Sequence, residues 1–413
     1  MPLLSLARFL AAALSLLIFA AAIYLLATWA IGGEQVTLET RRIVRVPTEP
    51  WRLWVGLALL AWSFLGRFVV VALAARRDVH PTRPVLGAGQ MVRSPSGAEL
   101  FIQGSGAAGG PPIILTHGWG MDASFWKHAK HDLGDRFRLT LWDLPGLGRS
   151  WLPPPEHRVD LTDYAADLAF LVEQAEGRPV LVGHSLGGIV IQTLLRDRPE
   201  IAERLAGVAL LNTTYTNPLK TMALSGLAQA TQPLSEACMR LAIALAPLVK
   251  LVKLQSYMSG AAHLAMRLGF GPHVTHGELE HATRLATFAP PEVEAKGNLA
   301  MFHWDAAGAL PRVGLPTLVI AGDRDIVTRP EASRVIAEQI PGARLEIVDG
   351  ANHMGPLERS EIYDRLIGDF ALAVQPSATR DVRPPAPAAS PPKAGDRAKP
   401  AARPERPQHR PPR

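Results

Sequence analysis

Val180-Leu-Val-Gly-His-Ser185-Leu-Gly-Gly188 is the stretch from which the rest of the chain is read. The apolar run 180–182 has the length and composition of a buried strand, and residues 186–196 carry a helical pattern. Between them a serine stands in the motif Gly183-His184-Ser185-Leu186-Gly187. In a strand–turn–helix elbow, small residues on both sides relieve crowding at a sharp turn and leave the hydroxyl exposed at the end of a sheet. Ser185 is therefore the candidate nucleophile. The Leu186 N–H, at the start of the helix, points toward any oxygen that gains negative charge there. Gly-x-Ser-x-Gly alone is often met by chance; the strand before it and the helix after it give it value.

Working outward, short apolar runs predict further strands over 99–103, 113–116, 139–142, 208–211, 317–320 and 345–348, with helical patterns at 161–173 and 332–339. Strands alternating with helices predict an α/β fold, with a mostly parallel sheet covered by helices on both faces. Residues 214–312 break the alternation. They carry no strand signal, are rich in Leu, Ala and Met at helical spacing, and are too long for a loop, so they predict a helical insertion. The core then falls in two parts, 91–213 and 313–375.

A hydroxyl nucleophile needs a base, and the base needs a carboxylate to orient it, in chain order serine, acid, histidine on such a sheet. Gly322-Asp323-Arg324-Asp325 follows the strand 317–320, and Gly350-Ala351-Asn352-His353 follows the strand 345–348. Loops at the C-terminal ends of strands are where sites on such sheets lie. Of the thirteen histidines, His353 is chosen as base because of this placement. Asp325 is the chosen acid and Asp323 its rival, since loop geometry is not readable to two residues. After the strand 113–116 comes His117-Gly118-Trp119-Gly120. Gly118 and Gly120 let the backbone approach a ligand closely, and the Trp119 N–H is the expected partner of the Leu186 N–H. His117 reads as a structural ring bonded to its own loop.

Together, His117-Gly-Trp-Gly, Asp143-Leu-Pro-Gly-Leu-Gly-Arg-Ser, Gly-His-Ser185-Leu-Gly, Gly322-Asp-Arg-Asp325 and His353 resemble the α/β-hydrolase superfamily, in its esterase, lipase and ring-cleavage hydrolase branch. The resemblance spans residues 90–372. It implies a Ser185–His353–Asp325 triad, an oxyanion hole at Trp119 and Leu186, and a helical cap over the site. Serine at the nucleophile position speaks against the similar dehalogenase and epoxide-hydrolase branches, which use Asp there.

Two segments depart from the usual soluble members. Residues 9–33 contain no charged side chain, long enough for a helix to span a ~30 Å hydrocarbon layer at ~1.5 Å per residue. The apolar run is too long for a signal peptide, and a second stretch, 53–75, follows it. Arg67 lies near the end of that stretch, placed to snorkel toward headgroups, and Trp51, Trp54 and Trp62 suit an interfacial or membrane position. Residues 1–33 and 53–77 are thus read as two transmembrane helices, joined by a loop at 34–52 and followed by a linker at 78–90. Arginines flank both ends (Arg8, Arg76, Arg77 and Arg83 on one side; Arg41, Arg42, Arg45 and Arg52 on the other), so the positive-inside count barely discriminates. A bacterial inner membrane with the catalytic domain on the cytoplasmic side is the favoured placement.

Of 43 Lys/Arg and 37 Asp/Glu, nine and three lie from Pro376 onward, which leaves 34 of each before it. The net charge of +6 therefore sits in the tail, and a nucleic-acid-binding face is not expected. The tail itself, 376–413, is Pro/Ala/Arg-rich and reads as disordered. The lone cysteine, Cys238, reads as a small apolar core residue. Asp143 and Arg149 read as turn scaffold. His273, His276 and His281 lack the Cys or carboxylate company of a zinc site, and no metal or cofactor is expected. Gly118 and His184 border the nucleophile and are candidate substrate contacts. His303 and Trp304 read equally as pocket lining or as a packed cap–core junction. The run 241–254, with Lys250 and Lys253, reads as packing within the cap, with an interfacial helix as the alternative.

The expected function is that of a membrane-anchored serine hydrolase cleaving a small-molecule or lipid ester, with the lipid bilayer as its partner. Carbon–carbon hydrolysis, perhydrolysis and acyl transfer run on the same scaffold and stay open. So does an inactive membrane-anchored binding protein.

Overall fold

The computed structural model describes residues 2–36, 43–46, 49–79, 87–152 and 159–375; the expected tail and most of the linker lie outside them. In chain order, α1 (Pro2–Ile31) leads into a hairpin of β1 (Gly33–Val36) and β2 (Ile43–Val46), and α2 (Pro50–Ala74) follows. The core opens with β3 (Gln90–Arg93), β4 (Glu99–Gly106), β5 (Pro112–Thr116), α3 (Lys127–Leu133) and β6 (Arg138–Trp142). It continues through α4 (Leu161–Gln174), β7 (Val180–His184), α5 (Leu186–Asp197) and β8 (Gly207–Leu211). The cap holds α6 (Pro218–Thr221), α7 (Ser225–Ala230), α8 (Gln232–Ala244), α9 (Ala246–Met258), α10 (Ala261–Arg267), α11 (His276–Phe288) and α12 (Pro291–Phe302). β9 (Thr317–Gly322), α13 (Pro330–Gln339), β10 (Arg344–Val348), α14 (Gly355–Glu358) and α15 (Ser360–Val374) complete the core.

Eight strands form one sheet in the order β10-β9-β8-β7-β5-β6-β4-β3. β3 and β4 join antiparallel and every other pair from β6 to β10 is parallel. Strand side chains alternate between two faces. Ile114, Leu181, Leu210 and Val319 pack under α4, α5 and α13. Ile113, Leu115, Val182, Leu211 and Ile320 pack under α3 and α15. Both faces are covered, which is why the strands read as continuous apolar runs. In the parallel register the C-terminal ends of β5, β7, β8, β9 and β10 fall on one edge, and the residues that follow them share it.

Several elements differ from expectation. The loop 34–52 contains the β1–β2 hairpin, with Gly33 opposite Val46 and Val36 opposite Ile43. α2 begins at Pro50, whose fixed φ suits a first helical turn. The polar edge strand β3 carries no apolar run. Cys238 is exposed rather than in the core, because α8 buries none of its residues. Leu241, Leu245, Leu248, Leu251 and Leu254 are likewise exposed, against the reading of packing within the cap.

Residues 7–31 and α2 form two helices long and apolar enough to cross a membrane. They pack on each other, with Phe19 and Phe64 edge to face at 6.1 Å. They also pack on α9 and α10 of the cap. Ser15 meets Gln255 and Ser259, and the backbone of Ser259 lies directly against Gly66. Arg67 turns toward the cap instead of snorkelling: its guanidinium lies 4.9 Å from the Tyr257 ring centroid. Arg8 and Lys253 share Glu294 of α12, at 3.5 and 2.5 Å. Below α2, Arg76 N donates to Val274 O and His276 N to Arg76 O, at 2.9 and 2.8 Å.

A side chain at Gly66 would overlap the Ser259 carbonyl. Gly66→Leu should destabilise the purified protein by about 1–3 kcal/mol, the scale of overpacking. Thermal melting would show this as a fall in Tm of roughly 2–4 °C per kcal/mol.

Candidate active site

Ser185 sits at the junction of β7 and α5 with φ 54° and ψ −113°, a backbone conformation that side chains rarely adopt. The turn closes because Gly183 and Gly187 have no side chains. A Cβ on Gly183 would lie 2.5 Å from the backbone of Gly187, and one on Gly187 would overlap the Thr116 carbonyl. The strained peptide is clamped on both sides. Ser185 N donates to Leu211 O at 2.9 Å, and Thr213 Oγ1 donates to Ser185 O at 2.7 Å.

Three loops from the shared sheet edge meet at the hydroxyl. Ser185 Oγ lies 3.0 Å from His353 Nε2, and His353 Nδ1 lies 3.0 Å from Asp325 Oδ2. A carboxylate only accepts, so the imidazole proton sits on Nδ1 and Nε2 is left to accept from the serine hydroxyl. Asp325 Oδ1 accepts from Val327 N at 2.8 Å and Thr328 N at 2.9 Å. Oδ2 also accepts from Thr328 Oγ1 at 2.8 Å and Asn212 Nδ2 at 3.0 Å. Burial alone would push this carboxyl up; the facing imidazole and these donors outweigh it and hold it below the ordinary carboxylate range. Asp323, the rival acid, lies two residues upstream of this line, with its N–H bonded to Val348 O.

Residues that no motif announced hold the line in place. Asn212, in a left-handed conformation at φ 45°, bonds both Asp325 and Asn352 O, the latter at 3.1 Å. The Tyr363 hydroxyl donates to Asn212 Oδ1 at 2.7 Å, and burial pushes that phenol up, keeping its proton in place. Asn352 Oδ1 accepts from Ile326 N at 3.2 Å and His353 N at 2.8 Å, stapling the acid loop to the histidine loop. Glu358 accepts from Asn352 N at 2.7 Å. The one available sequence signal was position: Asn212 directly follows a strand at the edge that carries the other loops.

The Leu186 amide occupies the first position of α5, where an N–H has no partner inside the helix. The loop after β5 abuts it: a Cβ on Gly118 would lie 3.3 Å from Ser185 Cβ. His117 accepts from Leu144 N at Nε2, 3.0 Å, so its Nδ1–H donates to Gly118 O at 2.9 Å. Burial lowers the ring to about 4, and it stays neutral in this role. Asp143 ties the same loop to the next turn by accepting from Ala123 N at 2.6 Å and Arg149 N at 2.8 Å. The Trp119 ring is wedged against Gly297 of α12, so the cap presses on the loop that carries its amide.

The candidate substrate contacts fare differently. Gly118 is required by packing, since a Cβ there would lie 2.7 Å from His184 Nδ1. The His184 ring stacks on Phe125 at 4.6 Å and its Nε2–H donates to His353 O at 2.8 Å. Burial lowers it to about 3, so it holds the His353 backbone as a neutral donor. The Trp304 indole is buried and donates to Thr193 Oγ1 at 2.8 Å, and His303 is surface-exposed beside Glu236 at 3.4 Å. Trp304 thus joins the cap to α5, while His303 faces solvent. Among the described residues no group of three His, Cys, Asp or Glu is placed to hold a metal; His276 and His281 bond Ala75 O and Ser124 O instead. A cavity of about 580 Å³ opens beside Gln103, Lys127 and Lys130, away from the triad. Ser185 and His353 are 1% and 2% exposed, so both side chains lie inside the protein.

A strained serine elbow, a buried imidazole and a clamped carboxylate on one edge of this sheet define a class, and the chain belongs to the α/β-hydrolase fold family, whose model matches residues 111–360. It is similar to a probable oxidoreductase, EphD, of Mycobacterium tuberculosis, with 26% identity over 296 residues, 68% of this chain and 49% of that protein. The chain thus spans about half the length of that relative. It is also similar to a pimeloyl-[acyl-carrier protein] methyl ester esterase of Nitrosospira multiformis, 26% identical over 66% of this chain and 98% of that enzyme. Among solved structures, a thermophilic esterase from Thermogutta terrifontis is 25% identical, with a TM-score of 0.57 over 70% of this chain and 100% of that one.

Asp325→Asn would put an N–H donor opposite His353 Nδ1 and turn the imidazole to the wrong tautomer, lowering kcat by about 10⁴. Asp323→Asn should leave kcat near the parent value. Because the Asp325 carboxyl is depressed in the folded protein, the stability it contributes is present above about pH 4 and lost as pH falls through the lower folded value. Denaturation of Asp325→Asn across that range should show a flatter acid side.

Proposed function

We propose that this chain is a membrane-anchored serine hydrolase that cleaves a carboxylic ester through an acyl-enzyme on Ser185. The observation that carries the reading is the unbroken line Asp325–His353–Ser185, with 3.0 Å at each step, at the start of the helix that Leu186 opens. Two esterases among the relatives support a carboxylic ester as the substrate class. The oxidoreductase name belongs to a protein of which the chain spans about half, and does not bear on this line.

In the first half-reaction Ser185 Oγ attacks the ester carbonyl carbon as its proton passes to His353 Nε2. The carbonyl oxygen takes the negative charge and is held by the Trp119 and Leu186 N–H groups, each such donor contributing about 10²–10³ in rate. Asp325 stays ionised and stabilises the imidazolium. The tetrahedral intermediate collapses, the bond to the alcohol oxygen breaks, and the proton on Nε2 leaves with the alcohol. Water then repeats the sequence: His353 takes its proton, the hydroxide adds to the acyl carbon, and the acid departs as Ser185 Oγ regains the proton. Neither half-reaction calls for a cofactor.

The two apolar helices support a membrane anchor, and the Leu, Met, Phe and Ala content of the cap supports a lipophilic acyl group. An even number of spans puts both ends of the helix pair on one side, and the favoured side is cytoplasmic.

Ser185→Ala should abolish labelling by a fluorophosphonate probe and all ester turnover while the melting curve stays near that of the parent. Normal labelling of that variant would refute the nucleophile assignment.

A further inference from the structure

The outer cap helices are apolar on the wrong side for a protein surrounded by water. No residue of α7 or α8 is buried. On α8 the acidic side chain is covered by its neighbours: Glu236 is 15% exposed and lies 3.4 Å from His303, 3.1 Å from Arg240 and 3.0 Å from Gln232. Leucines turn outward. Leu234, Leu241, Leu245, Leu248 and Leu251 recur at helical spacing through α8 and into α9, and are 64%, 59%, 42%, 55% and 64% exposed. A helix facing water carries the opposite arrangement, and an apolar stripe of this extent marks a surface that meets something.

The position of the stripe says what it meets. α9 is packed on both α1 and α2, and Ser15 of α1 meets Gln255 and Ser259 at its end. Ser15 lies seven residues beyond Arg8, roughly 10 Å along the helix at ~1.5 Å per residue. The cap therefore reaches past the charged end of α1 and alongside its apolar part. The charged residues bordering the stripe, Arg240 and Lys250, are basic and exposed, as suits lipid phosphates.

Resting on the reading of α1 and α2 as a membrane anchor, we infer that the leucine stripe of α8 and α9 lies in the lipid layer. The bilayer is then a docking partner of the cap itself. Behind α7 and α8, Leu219, Met222 and Phe302 form an apolar cluster, with Ala228 of α7 and Met239 of α8 packed against it.

The test uses the full chain in phosphatidylcholine–phosphatidylglycerol vesicles. Single cysteines replace Leu241, Leu248, Leu65 of α2 or Glu331 of α13 in a Cys238→Ser background and carry an environment-sensitive fluorophore. Fluorophosphonate labelling of each variant reports that it is folded. Nitroxide lipids should quench positions 241, 248 and 65, with a depth of roughly 5–10 Å for the cap positions, while a water-soluble quencher should reach only 331. Aqueous quenching at 241 and 248 with lipid quenching at 65 would overturn the inference and leave the anchor standing. Aqueous quenching at 65 as well would overturn both. Shielding of 241 and 248 from both quenchers would mean that a second chain covers the stripe, and would also overturn it.

Discussion

Ser185 is held at a backbone geometry that a residue with a side chain resists by about 1–3 kcal/mol, and the rest of the molecule is arranged around that point. The strain persists because the surroundings leave it no other place. Gly183 and Gly187 close the turn. β5 and β8 flank β7 on either side. Leu211 O and Thr213 Oγ1 bind the serine peptide at both of its polar groups. What the strain secures is direction: the hydroxyl points out of the sheet edge toward the loop that carries His353.

The polar groups behind that hydroxyl form a buried network, and buried polar groups are costly unless each finds a partner. Asp325 finds five donors. Asn212 joins it to Tyr363 on one side and to Asn352 on the other, and Asn352 joins the acid loop to the histidine loop. The same chain of contacts runs on to the cap, since Asn352 Nδ2 donates to Leu268 O at 3.0 Å just after α10. On the other flank, Glu294 links Arg8 of α1 and Lys253 of α9 to the neighbourhood of Gly120. The apolar helix pair, the cap and the two sides of the site are thereby one connected structure.

How much of this could be read from residues alone depended on how local each signal was. The strands of the sheet centre, buried on both faces, announced themselves as apolar runs, and Ser185 by the small residues its elbow requires. His353 was distinguished by its place after the last strand. Asp325 was preferred to Asp323, but loop position alone does not decide between them, because the choice is made by the backbone turn that lets Asp325 accept from Val327 and Thr328. β3 and the β1–β2 hairpin are too short or polar to stand out. Asn212, Thr328 and Tyr363 belong to segments as far apart as 151 residues in one bonded pair, and nothing local marks them. Trp304 and His303 were ambiguous because an aromatic at a junction looks the same as one lining a pocket. The packing of α1 and α2 on the cap is made by Ser15, Gly66 and Ser259, small residues whose meaning comes only from what lies opposite. The outward leucines of α8 and α9 were assigned to packing because, in sequence, an apolar stripe does not say which way it faces.

The chemistry assigned to Ser185 is tested most directly by trapping its covalent intermediate. The full-length protein would be mixed with a slowly deacylating p-nitrophenyl ester, quenched in acid during turnover and digested, and the peptides mapped by mass spectrometry. One acyl group on the peptide containing Ser185, gained as one p-nitrophenol per chain is released, is the expected result. Steady turnover with the acyl group on another side chain, or with Ser185 unmodified throughout under conditions where deacylation is the slow step, would contradict it.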